Sequence, residues 1–322
     1  MKAIVYTQYG PPNVLQVKEV EKPIPKDNEV LVKVHASSVN YGNLVLLKGK
    51  PFLARFAFGL LKPKYPIPGG DMAGQVEAVG KDVKEFQPGD KVYGDLSLSG
   101  WGAYAEYVTV PEKALALKPE NTTFEEAAAV PMAGVTALQA LRDKGKIKSG
   151  QKVLINGASG GVGTFAVQIA KEFGAEVTAV CSTRKMDIAT SLGADFVIDY
   201  TKEDFTKSEE RYDLIIAVNG YHPISAYKRA LRPNGTFVMI GGSEKQLYQA
   251  MLLGPWFSMV GDKKMSSFLQ RANQSDLVFM SELLESGKVK PVIERSYKLN
   301  EVSAAFKHFE EGHAQGKIII TV

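Results

Sequence analysis

The sequence predicts a two-part α/β protein, in which a β-rich region is followed by a parallel sheet covered by helices. Three observations carry this reading. Short strand-like runs fill the first ~120 residues, separated by Gly-Pro, Pro-Gly and Gly-Asp turn signals. From about Thr123 onward, strands alternate with helices, the signature of a helix-covered parallel sheet. The length of 322 residues suits about two domains at a prior of about 150 residues each.

The expected strands of the first part are Lys2–Thr7, Val14–Val20, Glu29–Ala36, Ala73–Val79, Lys91–Tyr93 and Ala103–Val110. Closely spaced strands of this kind suggest a sandwich or barrel. A helical run then spans Phe124 to Leu141. The alternating part reads as strand Val153–Asn156, helix Thr164–Phe173, strand Glu176–Cys181, helix Asp187–Leu192 and strand Phe196–Asp199. It continues with strand Leu214–Val218, helix Ile224–Leu231 and strand Thr236–Ile240. The continuous apolar run Leu214-Ile215-Ile216-Ala217-Val218 fits a strand buried on both faces. A helix, Glu301–Glu310, and a strand, Lys317–Val322, end the chain.

Composition narrows the function classes. Apolar residues make up 45% and charged residues 23%, the proportions of a chain that folds rather than one that stays disordered. The net charge of +4 is too small and too scattered for a nucleic-acid surface, although a mildly basic protein suits an anionic small ligand. The single cysteine, Cys181, excludes an intramolecular disulfide and an all-thiolate zinc site, and reads as a small buried residue. The longest uncharged run, Val153 to Ala170, contains four glycines and several polar residues, so it is a poor membrane span. Met1-Lys2 leads straight into a strand with no visible signal or transit peptide, and a cytoplasmic protein is expected.

The most informative stretch runs from Val153 to Ala175, VLINGASGGVGTFAVQIAKEFGA. A strand enters a glycine-rich turn and an amphipathic helix leaves it, with Phe165, Ile169 and Phe173 on one face. At dinucleotide-binding spacing the motif is Ala158-x-Gly160-x-x-Gly163, with alanine where the first glycine usually stands. The turn must be tight, the backbone must approach a pyrophosphate, and the helix must pack close to the strand. The helix N-terminus adds unpaired N–H groups and a positive dipole end. Ala158, Ser159, Gly160, Gly161, Val162 and Gly163 are the candidate phosphate contacts.

About 20 residues further on, where an NAD site would place an acid, the chain offers Ser182, Thr183, Arg184 and Lys185. Hydroxyls and cations suit a 2′-phosphate, so NADP(H) is the expected cofactor. The other reading makes Arg184 and Lys185 solvated residues of the next helix. Tyr200, after the third strand, is a candidate for the adenosine or the 2′-phosphate, or a packing residue.

The whole chain resembles the medium-chain dehydrogenase/reductase superfamily, in particular its zinc-less quinone oxidoreductase and alkenal/one reductase branch. The resemblance rests on MKAIVYTQYGPPNVL, EVLVKVHASSVNYGNL, PIPGGDMAGQVEAVG, FQPGDKVYG, GAYAEYVTV and VPMAGVTALQAL, which stand in the family's order before the nucleotide turn. It implies a GroES-like β domain, residues 1–122 and 290–322, and a doubly wound Rossmann domain, residues 123–289, with the cofactor in the cleft between them. Matched against the zinc alcohol dehydrogenases of the superfamily, Asn40 stands at the catalytic cysteine, Asp71 at a histidine and Met72 at a glutamate. The structural zinc loop is absent and the four histidines lack ligand spacing, so no catalytic metal is expected. Without a Lewis acid, reduction of an already activated acceptor remains feasible.

The resemblance further implies a quinone or an α,β-unsaturated carbonyl as substrate, reduced by hydride from NADPH. It places Asn40 near the nicotinamide, where it could hydrogen-bond a substrate carbonyl or the carboxamide, Thr136 in the segment at the nicotinamide ribose, Gly241 and Gly242 along the phosphate path, and Asn219 and Gly220 near the same cleft. Lys317 matches a family Gly-Lys, which reaches the cofactor or closes a turn. Asn43 stands where the quinone oxidoreductases often carry aspartate. Tyr41 is the best-placed hydroxyl for a proton donor, a role that water can also fill. A homodimer through the Rossmann domain is expected, with Trp256–Val260 as its edge strand. A second functional class stays open, a crystallin-like NADPH-binding structural or regulatory protein with little turnover. A zinc-free alcohol or sugar dehydrogenase is disfavoured because nothing replaces the metal. The apolar stretch KGKPFLARFAFGLLKPKY, residues 48–65, has three readings: a pocket wall, a buried turn, or a membrane or partner surface.

Overall fold

The computed structural model describes residues 1–322, apart from the side chains of Glu244 and Val260. Along the chain run β1 (Lys2–Val5), β2 (Gln16–Glu19), β3 (Glu29–Ser38), β4 (Asp71–Val79), β5 (Lys91–Asp95), β6 (Tyr107–Pro111) and β7 (Leu115–Leu117). They are followed by β8 (Lys152–Asn156), β9 (Glu176–Cys181), β10 (Phe196–Asp199), β11 (Tyr212–Ala217), β12 (Leu231–Met239) and β13 (Lys264–Ser267). The last two are β14 (Ile293–Lys298) and β15 (Lys317–Thr321).

The chain divides into two units, Met1–Val135 with Ala272–Val322, and Thr136–Arg271. This division places residues 123–135 with the first unit and returns to that unit at Ala272, within about 25 residues of the expected 290.

In the first unit the main sheet has the order β14-β15-β3-β4-β5-β7. β3 is its organising strand. One edge pairs with β4; the other pairs with β6 over Glu29–Lys33 and with β15 over Ala36–Ser38. The C-terminal strand therefore lies beside the strand that leads to Asn40. Two apolar clusters flank this arrangement. One gathers Leu46, Trp101, Tyr104, Phe306 and Ile318, the other Val32, Val76, Val92 and Val110.

In the second unit six strands are all parallel in the order β10-β9-β8-β11-β12-β13. Numbered from β8, that order is 3-2-1-4-5-6, the doubly wound dinucleotide-binding arrangement, with its switch point between β8 and β11. Buried Leu154, Ile155, Ile215, Ile216 and Val238 confirm strands covered on both faces.

Two expected elements are corrected. The run Phe124–Leu141 is not one helix but Phe124–Ala128 and Pro131–Gln139, followed by a wide turn over Ala140–Lys144. Pro131 starts a new helix because proline disfavours helical geometry in the residue before it. Trp256–Val260 is not an edge strand but the end of the helix Glu244–Val260. The edge strand is β13, which the sequence reading missed along with β7, β14 and the helix Gln274–Glu285. The strands are short or polar runs with little periodicity, whereas Gln274–Glu285 does carry a helical one, with Leu277, Met280 and Leu284 buried on one face.

Candidate functional site

In the second unit the glycine turn lies at the switch point. β8 ends at Asn156, and Gly157 turns with φ of +87°. A Cβ on Gly157 would lie 2.9 Å from the backbone nitrogen of Asn219, which follows β11. The left-handed residue is thus Gly157, one place before the alanine of the motif. Ala158 is buried, lies outside the left-handed region, and donates its N–H to Val180 O at 3.1 Å, so alanine is tolerated there. Gly163 closes the helix onto the turn: a Cβ on it would meet Gly157 O at 2.1 Å. Gly160 differs. A Cβ there would meet only Gly157 O, at an ordinary 3.7 Å, so the fold does not demand a glycine.

Gly160 is the N-cap of the helix Gly161–Glu172, and no side chain caps that end. The N–H groups of Gly161, Val162 and Gly163 therefore have no intrahelical acceptor. Ser159 is buried beside them. Opposite, Gly220 N donates to Asn219 Oδ1 at 2.8 Å. Cβ atoms on Gly241 and Gly242 would meet Val218 O at 2.5 Å and Gly220 O at 2.7 Å. Close backbone approach at three loop ends, with bare amides at the helix start, is a cradle that fits a dinucleotide pyrophosphate.

The parallel pairing of β9 with β10 sets Asp199 opposite Cys181. It brings Ser182, Thr183, Arg184 and Lys185 to the same sheet end as Tyr200. Arg184 and Tyr200 are exposed there. One acid was missed by the sequence reading. Asp199 accepts hydrogen bonds from Thr183 Oγ1, from Thr201 Oγ1 at 2.7 Å and from Thr201 N at 3.0 Å, and Lys202 lies 3.5 Å away. These bonds, that of Thr183 foremost, lower its pKa to about 2. Its acceptor capacity is thus taken up by Thr183, Thr201 and Lys202. Cys181 is buried, and burial raises its thiol pKa. Thr136 is buried in the helix Pro131–Gln139, at the start of this unit.

In the first unit, Ser38 and Asn40 at the end of β3, Asp71 at the start of β4 and Lys317 at the start of β15 form a buried polar cluster. Asp71 is 0% exposed and Lys317 2%. Asp71 Oδ2 accepts from Ser38 Oγ at 2.6 Å and from Asn40 Nδ2 at 2.8 Å, and Asp71 Oδ1 accepts from Met132 N at 2.8 Å. Lys317 Nζ donates to Asn40 Oδ1 and to Val39 O, and lies 3.5 Å from Asp71 Oδ2. Burial lowers the lysine pKa, while the Asp71 charge opposes that shift.

Two sequence expectations change here. Both ends of the Asn40 carboxamide are engaged inside the unit, so the geometry does not support its donating to a substrate carbonyl. The Lys317 ammonium is likewise held by the cluster, which is neither a turn closure nor an exposed contact for a cofactor. Asn43 Oδ1 accepts from Asn40 N at 2.9 Å, fixing the start of the helix Tyr41–Lys48, while its buried Nδ2 has no partner. Tyr41 is 58% exposed. Met72 packs in the apolar core.

A zinc ion does not fit this cluster. Both Asp71 oxygens accept hydrogen bonds, Asn40 and Met72 offer no anionic ligand, and a lysine ammonium lies among them. No three His, Cys, Asp or Glu side chains come together among the described residues.

The second unit has the doubly wound dinucleotide-binding fold. Residues 26–120 match the alcohol dehydrogenase GroES-like domain, and residues 192–320 match the family described as zinc-binding dehydrogenase. The chain is 37% identical to the chloroplast envelope quinone oxidoreductase homolog of Arabidopsis thaliana, over 99% of this chain and 98% of that one. It is 34% identical to the NADPH-dependent alkenal/one oxidoreductase, chloroplastic, of the same plant, over 99% of this chain and 79% of that one. The solved quinone oxidoreductase from Coxiella burnetii superposes with a TM-score of 0.88 at 32% identity, covering 100% of this chain and 99% of that one. The chain belongs to the medium-chain dehydrogenase/reductase superfamily, in its quinone oxidoreductase branch.

Proposed function

We propose that the protein is a zinc-independent, NADPH-dependent reductase of quinones or α,β-unsaturated carbonyls. The observation that carries this is the replacement of a metal site by the buried Asp71–Lys317 cluster in a chain that keeps an open dinucleotide cradle. Bound NADPH supplies a hydride to the electrophilic carbon of an acceptor that is already activated. The chain's own work is binding and orientation. Gly160 to Gly163 hold the pyrophosphate through backbone amides, and Ser182, Thr183, Arg184, Lys185 and Tyr200 take the 2′-phosphate. Gly241, Gly242, Asn219 and Thr136 border the rest of the cofactor. Tyr41 or a water returns the proton that completes the reduction. Asn40 and Lys317 act within the first unit, by fixing the start of the Tyr41–Lys48 helix. The names of the relatives in this branch, quinone oxidoreductase and alkenal/one oxidoreductase, support the acceptor class.

The test is NADPH consumption by metal-chelated protein, offered a small quinone and a 2-alkenal in parallel, with NADH as comparison. Turnover with NADPH and much less with NADH supports the reading, and the better acceptor names the substrate class. Binding of NADPH without turnover would turn the protein into a nucleotide-binding structural or regulatory one.

We also infer a homodimer through the second unit. Met251, Leu252, Trp256 and Met259 are exposed on the helix Glu244–Val260, and β13 presents an unpaired edge. Light scattering after size exclusion tests this. No helix among the described residues is long and apolar enough to cross a membrane. The relatives' names place them in chloroplasts, so the cytoplasmic expectation gains no support from them.

A further inference from the structure

The stretch from Lys50 to Lys64 has no part in the sites above, yet it is an unusual piece of surface. Phe52 is 60% exposed, Phe56 71% and Leu61 90%, with Leu53 and Leu60 exposed beside them in sequence. These side chains are displayed by a braced backbone. Tyr9 Oη donates to Phe58 O and Gly59 O at 2.9 and 2.5 Å. Arg55 lies over the Tyr9 ring at 4.5 Å and donates to Gly49 O at 3.1 Å. Phe58 turns inward, edge-on to Trp101 at 6.1 Å. Lys64 N donates to Phe58 O at 2.7 Å and closes a loop with Leu60, Leu61 and Lys62 at its tip. Gly59, at φ of +112°, makes that closure possible, since a Cβ there would meet Lys62 O at 2.1 Å. A buried turn does not describe residues so open to solvent.

Charge selects the occupant. Between Glu29 and Asp71 the sequence carries no acidic residue, and Lys50, Arg55, Lys62 and Lys64 interleave with the apolar side chains. A second copy seated on this patch by two-fold symmetry would bring like charges face to face. A braced loop tip with an apolar end and flanking cations matches an interface of the opposite kind, apolar inside and anionic at its surface.

We propose that Phe52, Phe56, Leu60 and Leu61 insert into an anionic lipid bilayer surface, with Lys50, Lys62 and Lys64 on the headgroups, docking the protein peripherally. This goes beyond the reductase reading and does not depend on it.

The experiment is co-sedimentation of the full chain with vesicles of phosphatidylcholine alone or with about a third phosphatidylglycerol, at low and high salt. Phe56→Ser/Leu61→Ser and Lys62→Gln/Lys64→Gln are compared with Met251→Ser/Trp256→Ser, which alters the other exposed apolar surface. Circular dichroism melting and NADPH fluorescence quenching establish that each variant is folded. Anionic vesicles are expected to bind the parent at least tenfold more tightly than neutral ones, with loss at high salt. Removing two cations is expected to weaken binding about 25-fold, at about fivefold per cation. The serine pair should weaken it at least tenfold, and the Met251/Trp256 pair should leave it unchanged.

Three outcomes overturn the proposal. The first is equal or absent binding to the two vesicle types. The second is loss caused only by the Met251/Trp256 pair. The third is a Phe56/Leu61 variant that keeps vesicle binding but changes oligomeric state, or the KM for a small soluble acceptor, which would assign the patch to a second copy or to a pocket wall.

Discussion

The glycine cradle of the second unit and the polar cluster of the first are built on opposite principles. The cradle is contiguous in sequence, exposes backbone, and works by the absence of side chains. The cluster draws Ser38, Asp71 and Lys317 from three strands and Asn40 from the start of a helix, buries them, and satisfies them with one another. A vacant surface tolerates modest change in the protein and is felt by the ligand. A buried charge network tolerates almost no change in the protein. The difference separates residues that matter for binding from residues that matter for folding.

The comparison breaks most visibly at Lys317. Lys317→Met leaves Asp71 buried beside no cation and should lower stability by about 3–5 kcal/mol. Adding Asp71→Asn should restore a large part of that loss in chemical denaturation. A Lys317→Met cost below about 1 kcal/mol would show that the cluster does not hold the unit together. Gly163→Ala comes next, because its Cβ meets a backbone oxygen at 2.1 Å. It should cost about 1–3 kcal/mol. Gly160→Ala sharpens the contrast, with stability changed by less than about 0.5 kcal/mol and NADPH affinity at least tenfold weaker by fluorescence titration. Equal effects of the two substitutions on stability would refute the distinction between them.

A smaller effect is expected at Arg184. Arg184→Ala should reduce the preference for NADPH over NADH by about 1.5–3 kcal/mol, the worth of a charged hydrogen bond. An unchanged ratio of the two kcat/KM values would return Arg184 to the solvated surface. The smallest effect belongs to Asp199. Its folded pKa of about 2 lies below the usual 3.8, so it contributes stability in full above pH 3.8 and loses it as the pH falls toward 2. The melting-temperature gap between parent and Asp199→Asn should therefore close as the pH falls from 5 to 2. A constant gap would mean that the hydrogen bonds from Thr183 and Thr201 do not select the charged form.

The same contrast explains what could be read beforehand. The alternating second unit announced itself through strands such as Leu214–Val218, whose buried apolar runs are local signals, and through a glycine pattern only 7 residues long, from Gly157 to Gly163. The family resemblance located Asn40 and Asp71 but said nothing of their orientation. The Asn40 carboxamide turns inward because Lys317 is beside it, and the two are 277 residues apart in sequence. Asp199 was missed for a related reason: it joins Thr183 through β9–β10 pairing, not through spacing along one strand. Trp256–Val260 has strand-like residues but continues a helix capped at Ser243, whose side chain accepts from Gln246 N. There, tertiary context overrides local preference.

The position of β15 has a consequence for how the chain is made. Residues 317–321 are synthesised after the whole of Thr136–Arg271, yet they pair with β3, which precedes it. On a ribosome, the stretch Thr136–Arg271 emerges whole and has all six of its strands available for pairing while the chain is still growing. Until β15 has emerged, the first unit waits with the Ala36–Ser38 edge of β3 open and with Asp71 lacking the Lys317 cation. The discontinuous unit is thus completed after the continuous one, and its N-terminal part is the longer exposed of the two.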